Sequence, residues 1–161
     1  MSVLVFIGPS GAGKTRVGKR VARLLDVPFT DTDSLIVQQY GPIAEIFRAH
    51  GEPHFRRLER TAVVEGLAGD GVLSLGGGAV LDADTQADLE EQRVVLLTIS
   101  PEAVEPRLGA DRPLVKDGLH DWIALNAPRW PIYDRLADVT IDTSDRTSDE
   151  IAEEVAAWAR T

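Results

Sequence analysis

Gly8-Pro9-Ser10-Gly11-Ala12-Gly13-Lys14-Thr15 has the spelling G-x-x-x-x-G-K-T, and the chemistry it suits is the holding of a polyphosphate. Glycines at 8, 11 and 13 let the backbone curl until successive N–H groups, those of Gly11, Ala12 and Gly13 among them, point inward at phosphate oxygens. A helix opening near Lys14 would bring the positive end of its dipole to the same place. Lys14 would then reach the β- and γ-phosphates of a nucleoside triphosphate, and the Thr15 hydroxyl would ligate Mg²⁺. The alternative is a glycine-rich strand-to-helix turn that binds nothing. The apolar run Val3–Ile7 in front of the motif and the amphipathic pattern behind it favour the phosphate site.

Further stretches offer groups that could act on a second substrate. Asp31 and Asp33 stand two apart after a short apolar stretch, so an extended segment would point both the same way. Two carboxylates beside a triphosphate repel it unless a cation lies between them. The third strand ends in glycines and not in an acid, which makes Asp31 the natural metal carboxylate, acting through a metal-bound water. Asp33 is then available to accept a hydrogen bond from a substrate hydroxyl and orient it for in-line attack. Capping of the next helix is the competing role for the pair, and for Asp33 the two roles are compatible. Arg56 and Glu59 stand at i, i+3; Glu59 could hold the guanidinium flat for a bidentate grip on a carboxylate, or the two could form only a surface pair.

Gly76-Gly77-Gly78 would admit backbone close to a ligand, or serve merely as a tight turn. Arg112 lies in a polar stretch, Gly109 to Gly118, that reads as a mobile loop; it could close over the γ-phosphate and neutralise developing charge. Arg129, ahead of the last strand, is a second cation near the sheet edge. His50 and His54 stand four apart, but Gly51 and Pro53 argue against a continuous helix and no third metal ligand accompanies them.

The elements that must carry these groups alternate. Strands are expected at 3–7, 27–30, 72–75, 94–99 and 139–141, with helical patterns after each. Pro42, Pro53 and Pro101 open helices, and Thr147-Ser148-Asp149-Glu150 spells a capping box ahead of the last one. The pattern is that of a parallel α/β sandwich, one domain over 1–161, with its site at the strand C-terminal ends. Strands one, two and three end in the glycine loop, Asp31-Thr32-Asp33 and Gly76-Gly77-Gly78, so these should converge. Zero cysteines exclude disulfides and thiolate metal sites and fit a reducing cytoplasm. No run is long enough to span a bilayer, and no secretory leader is evident. A net charge of −9 without a basic stripe argues against a nucleic-acid partner, and leaves an anionic substrate to a few local arginines.

Taken in order, G-P-S-G-A-G-K-T, D-T-D at 31–33, G-E-x-x-F-R-R-x-E at 51–59, L-G-G-G-A at 75–79, R-P-L at 112–114 and R-x-P-x-Y-x-x-x-A at 129–137 resemble shikimate kinases, of the nucleoside-monophosphate-kinase-like P-loop group. The resemblance implies a three-layer P-loop kinase fold, a five-stranded parallel sheet in the order 2-3-1-4-5 with helices on both faces, and a cytoplasmic monomer. It implies transfer of the γ-phosphoryl group of ATP, with Mg²⁺, to the 3-hydroxyl of shikimate on the way to chorismate and the aromatic amino acids. Asp33 would receive the shikimate hydroxyls, Arg56 and Arg129 would clamp the carboxylate, and Gly76, Gly77 and Gly78 would line the pocket, within an acceptor segment of about 31–60. Lys14, Thr15 and Asp31 would serve nucleotide and metal. Arg112 would face the phosphates from a lid of about 108–118, and Arg107 and Arg146 would flank the adenine. The lid is short beside relatives, and Trp130 stands where a small residue is frequent. Two other readings stand beside this one: a kinase of the same fold acting on gluconate or a nucleotide, and a nucleotide-binding regulatory protein without turnover.

Overall fold

An apolar run with no polar face is stable only with both faces covered, and β1 (Leu4–Ile7) is buried along its whole length. In the computed structural model, which describes residues 4–109 and 113–161, β1 lies between β3 (Val72–Ser74) and β4 (Arg93–Thr98), parallel to both. Outside β3 lies β2 (Phe29–Asp31) and outside β4 lies β5 (Val139–Asp142), giving the order β2-β3-β1-β4-β5 that the resemblance implied. The connections leave β1 and β4 toward opposite edges, so a crevice opens at the carboxyl ends of this pair, where the glycine loop emerges.

Side chains alternate across a strand, and β1 feeds two cores accordingly. Leu4 and Phe6 join Val17 and Val21 of α1 (Lys14–Leu25), Trp122 of α7 (Gly118–Asn126) and Ile151 and Val155 of α9 (Ser148–Ala159). Val5 and Ile7 join Val63 of α4 (Glu52–Ala68), Leu89 of α5 (Ala83–Leu89) and Tyr133 of α8 (Trp130–Leu136). Full burial of a side chain such as Phe6 or Ile7 is worth roughly 1.5–3 kcal/mol, so the strand carrying the loop is anchored from both sides. A third, smaller cluster of Ile36, Ile46, Phe55 and Ala62 ties α2 (Thr32–Tyr40) and α3 (Ile43–His50) to α4.

Local chemistry sets the boundaries. Gly13 has φ +93°, and nothing lies within 4 Å of where its Cβ would be, so the backbone and not the space requires glycine before α1. At the other end Val27 N donates to Ala22 O (2.9 Å), closing α1, and Pro28 has no N–H to give. Neither residue therefore has an N–H for the ladder, although Pro28 O still accepts from Val72 N (2.9 Å), and β2 begins at Phe29, two residues later than expected. Leu24, at helical spacing from the buried Val17 and Val21, is 44% exposed in the last turn of α1. The helix that Pro101 opens is short, and gives way near Pro106 from α6 (Pro101–Val104) to a 3-10 turn, Glu105–Arg107. Asp82 caps α5 by accepting from Thr85 N (3.0 Å), and Thr147 caps α9 by accepting from Glu150 N (3.1 Å), each worth about 1 kcal/mol.

Candidate active site

Side-chain donors occupy every carbonyl oxygen of the glycine loop from Gly8 to Ala12. Lys14 Nζ donates to Gly8 O (2.6 Å) and Pro9 O (3.0 Å), and Trp122 Nε1 donates to Ser10 O (3.0 Å). Arg107 Nη1 donates to Gly11 O (2.8 Å) and Thr143 Oγ1 to Ala12 O (2.9 Å). In a trans peptide the C=O and the following N–H point in opposite directions, so anchoring the oxygens fixes where the N–H groups face. The loop thus has a donor-bearing side before any ligand arrives, as a phosphate site needs. The anchors come from α1, α7, the turn after α6 and the residue after β5, elements that pack around the loop.

Asp31 and Asp33 do not lie on one extended segment. Strand ends at Asp31 and helix begins at Thr32, so Asp31 is the N-cap and Asp33 stands in the first turn. Asp31 Oδ1 accepts from Asp33 N (2.9 Å) and Ser34 N (3.3 Å), while its Oδ2 accepts from Thr15 Oγ1 (2.6 Å). One carboxylate therefore both starts α2 and meets the loop hydroxyl. A carboxylate oxygen beside a hydroxyl is a hard oxygen pair of the kind Mg²⁺ takes.

Gly76-Gly77-Gly78 is where the other candidates meet. A methyl group on Gly76 would lie 2.8 Å from Asp33 Oδ1 and 3.0 Å from Glu59 Oε2. On Gly77 it would lie 3.4 Å from Arg129 Nη1, and on Gly78 only 2.4 Å from Arg56 Nη1. None of the three has positive φ, so close approach, and not backbone freedom, is what their lack of a side chain provides. Gly76 N donates to the buried Thr32 Oγ1 (3.1 Å), and the Tyr133 hydroxyl donates to Gly77 O (2.6 Å). These two bonds hold the turn against α2 and α8.

The expected Arg56–Glu59 contact is present at 2.7 Å, and Glu52, one turn earlier, adds a second at 3.2 Å. Burial alone would lower the Arg56 pKa, but Glu59 and Glu52 more than offset it and raise it above its ordinary value. Glu59 is 3% exposed; burial pushes its pKa up to about 7 against the pull of Arg56, with Asp33 adding to the push and Arg129 opposing it. Burial likewise pushes the Tyr133 hydroxyl up to about 12, so at neutral pH it remains a donor.

A cleft of about 860 Å³ runs past Gly11, Ala12, Gly13, Lys14, Thr15, Asp31, Asp33, Gly76 and Gly77, with Arg107 and Arg146 on its walls. Arg56, Gly78, Glu52 and Glu59 line an adjoining recess of about 280 Å³. Arg129 is 4% exposed and sits against Gly77, not in open space. Arg146 also pairs with Glu154 (3.2 Å). Arg112 lies outside the described residues. His50 and His54 stack with ring centres 4.5 Å apart, and among the described residues no third ligand joins them.

The sequence reading found no basic stripe, and here it is corrected. Arg16, Lys19, Arg20 and Arg23 fall on one face of α1 and line the cleft, giving a strongly acidic chain a locally cationic wall. Trp122, Thr143, Thr32, Glu52 and Tyr133 also went without a role. Trp122 and Thr143 meet their loop partners across 112 and 131 residues, so no local signal marks them. Glu52 was legible in principle, standing at i−4 from Arg56.

A sequence model described as shikimate kinase matches residues 10–160. The shikimate kinase of Salinispora arenicola is 47% identical over 160 residues, covering 96% of each chain. Among solved structures, the shikimate kinase of Acinetobacter baumannii in complex with shikimate superposes with a TM-score of 0.94 at 30% identity, covering 99% of this chain and 93% of that one. A gluconokinase from Sinorhizobium meliloti, at 22% identity and a TM-score of 0.63 over 99% of this chain and 92% of that one, shares the fold alone.

Proposed function

The chain belongs to the shikimate kinase family, and on that premise we propose that it phosphorylates the 3-hydroxyl of shikimate with ATP in the cleft above the glycine loop. The observation that carries the assignment of parts is the meeting of Asp33, Arg56 and Arg129 on Gly76-Gly77-Gly78, beside a loop whose carbonyls are already anchored. The loop N–H groups and Lys14 take the β- and γ-phosphates, and Arg107 and Arg146 flank the adenine. Arg56 and Arg129 grip the shikimate carboxylate, Arg56 with its fork held by Glu59 and Glu52. Asp33 accepts the hydrogen bond of the 3-hydroxyl and aims its oxygen at the γ-phosphorus. The new O–P bond forms as the bond to the β–γ bridging oxygen breaks, ADP leaves, and the hydroxyl proton departs by way of Asp33. Thr15 and Asp31 would hold Mg²⁺, Asp31 through a water, and the ion would neutralise charge on the phosphates. Arg112, which the family resemblance assigns to the phosphates, would add a cation there. The reading takes the protein as a one-domain cytoplasmic monomer without a nucleic-acid or membrane partner; no helix among the described residues is long and apolar enough to cross a membrane.

Two substitutions test the assignment. Asp33→Asn keeps the shape but loses the charge that orients the hydroxyl, and should cut kcat by about 10²-fold or more with ATP binding little changed. Arg56→Lys removes the bidentate fork and should raise chiefly the KM for shikimate. Near-wild-type turnover in the first, or an effect confined to the ATP KM in the second, contradicts the roles given.

A further inference from the structure

Two part-buried hydrogen bonds of the site belong to side chains the reaction does not use. Trp122 Nε1 donates to Ser10 O in the glycine loop (3.0 Å), and the Tyr133 hydroxyl donates to Gly77 O (2.6 Å). Between them stands Trp130, edge-on to both rings, with centroids 6.5 Å from Trp122 and 5.6 Å from Tyr133. The circuit nearly closes on the other side: a methyl group on Gly77 would lie 3.5 Å from Gly8 O and 3.6 Å from Ser10 N. Ser10, Trp122, Trp130, Tyr133 and Gly77 are therefore linked in series, as a ring that the proximity of Gly77 to the loop nearly closes. Arg129 precedes Trp130 in the chain and has its Nη1 near Gly77, where a methyl group would lie 3.4 Å from it. Trp122 is 2% exposed and Tyr133 fully buried, so neither can turn without moving its neighbours. Edge-to-face contacts hold rings in preferred orientations, so a displacement at one end reaches the other.

We propose that Trp122 is a positioning residue that couples the nucleotide loop to Arg129, so that filling the loop with ATP tightens the grip on the acceptor carboxylate. The inference rests on the reading of Arg129 as a carboxylate clamp. Coupling of this kind is reciprocal: shikimate must tighten nucleotide binding by the same factor.

The test is calorimetric titration of shikimate with and without a non-hydrolysable ATP analogue and Mg²⁺, in wild type and Trp122→Phe. The ratio of the two dissociation constants measures the coupling. Trp122→Phe keeps a ring but loses the N–H donor, and should bring the ratio close to one. It should also raise the shikimate KM at saturating ATP by about three- to tenfold, the size of one neutral hydrogen bond, with a smaller effect on kcat. Tyr133→Phe removes one hydroxyl from the far end of the ring and should do the same; it carries the test if Trp122→Phe fails to fold. The double variant should be no worse than the more severe single one. A wild-type ratio of one overturns the proposal. So does an unchanged ratio in the variants, even where both KM values and Tm decline together, since that is the signature of a structural role alone. Arg129→Lys separates this inference from its premise. If that variant leaves shikimate affinity intact, the clamp reading fails; if it weakens shikimate while Trp122→Phe does not, only the ring fails.

Discussion

Glu59 is enclosed by the Arg56 guanidinium at 2.7 Å and by the Gly76 turn, which Asp33 approaches from the other side. Burial pushes its pKa up to about 7, against 4.5 for the free group, so near neutral pH it carries a proton for part of the time. A carboxyl whose folded pKa is raised contributes stability that is fully present below its unfolded pKa, here 4.5, and is lost as pH rises through about 7. Glu59→Gln removes this titration. Measured as Tm or denaturant midpoint from pH 5 to 8, wild type should therefore lose ground to the variant as pH rises. Parallel curves would show that Glu59 does not titrate in that range. The Arg56–Glu59 contact was legible from an i, i+3 spacing, because helix geometry fixes which side chains meet. The influence of Asp33 on Glu59 was not, since it depends on where α2 and α4 come together.

At the scale of elements, the triple glycine shows why a turn can be a binding feature. A methyl group at Gly78 would fall 2.4–2.7 Å from the Arg56 guanidinium, whereas at Gly77 its nearest contact is 3.4 Å. Gly78→Ala should therefore displace Arg56 and raise the shikimate KM by about tenfold, the order expected when a charged hydrogen bond is lost. Gly77→Ala should have a smaller effect. Both variants should fold, since neither glycine has positive φ and the far end of Arg56 can move aside. Equal KM changes, or a larger one for Gly77→Ala, would contradict this account of the turn. The three strand ends were expected to converge, and they do, because parallel strands share one edge. The geometry of Asp31 and Asp33 departs from an extended pair for a local reason: Asp31 accepts from Asp33 N and Ser34 N, so strand gives way to helix at Thr32 and not beyond Asp33. Periodicity reports an apolar stretch but not which of its N–H groups are committed elsewhere.

Over the whole molecule, the alternation of strand and helix and the two-sided burial of β1 were readable from the sequence because each is a consequence of side-chain period. The charge distribution was only partly so: the spacing of Arg16, Lys19, Arg20 and Arg23 puts them on one helical face, but does not say which cleft that face lines. A net charge of −9 describes the chain as a whole, while the cleft is walled by Arg16, Lys19, Arg20, Arg23, Arg107 and Arg146. An acidic exterior with a cationic cleft directs a small anion to the site and discourages adhesion to other polyanions. The loop anchors Trp122 and Thr143 lay equally beyond reach, being products of tertiary packing alone.

The roles proposed for Arg56, Arg129 and Asp33 make a polyhydroxy acid, held by its carboxylate and aimed by its hydroxyl, the phosphoryl acceptor in this cationic cleft. The most direct test is ADP release by the purified protein with Mg-ATP, comparing shikimate with gluconate and a panel of nucleoside monophosphates. The account predicts turnover with shikimate and not with the others. Turnover with gluconate or a nucleotide and none with shikimate would contradict it, leaving the fold and the phosphate loop standing without their acceptor; binding of ATP and shikimate with no ADP released would contradict the catalytic role of Asp33.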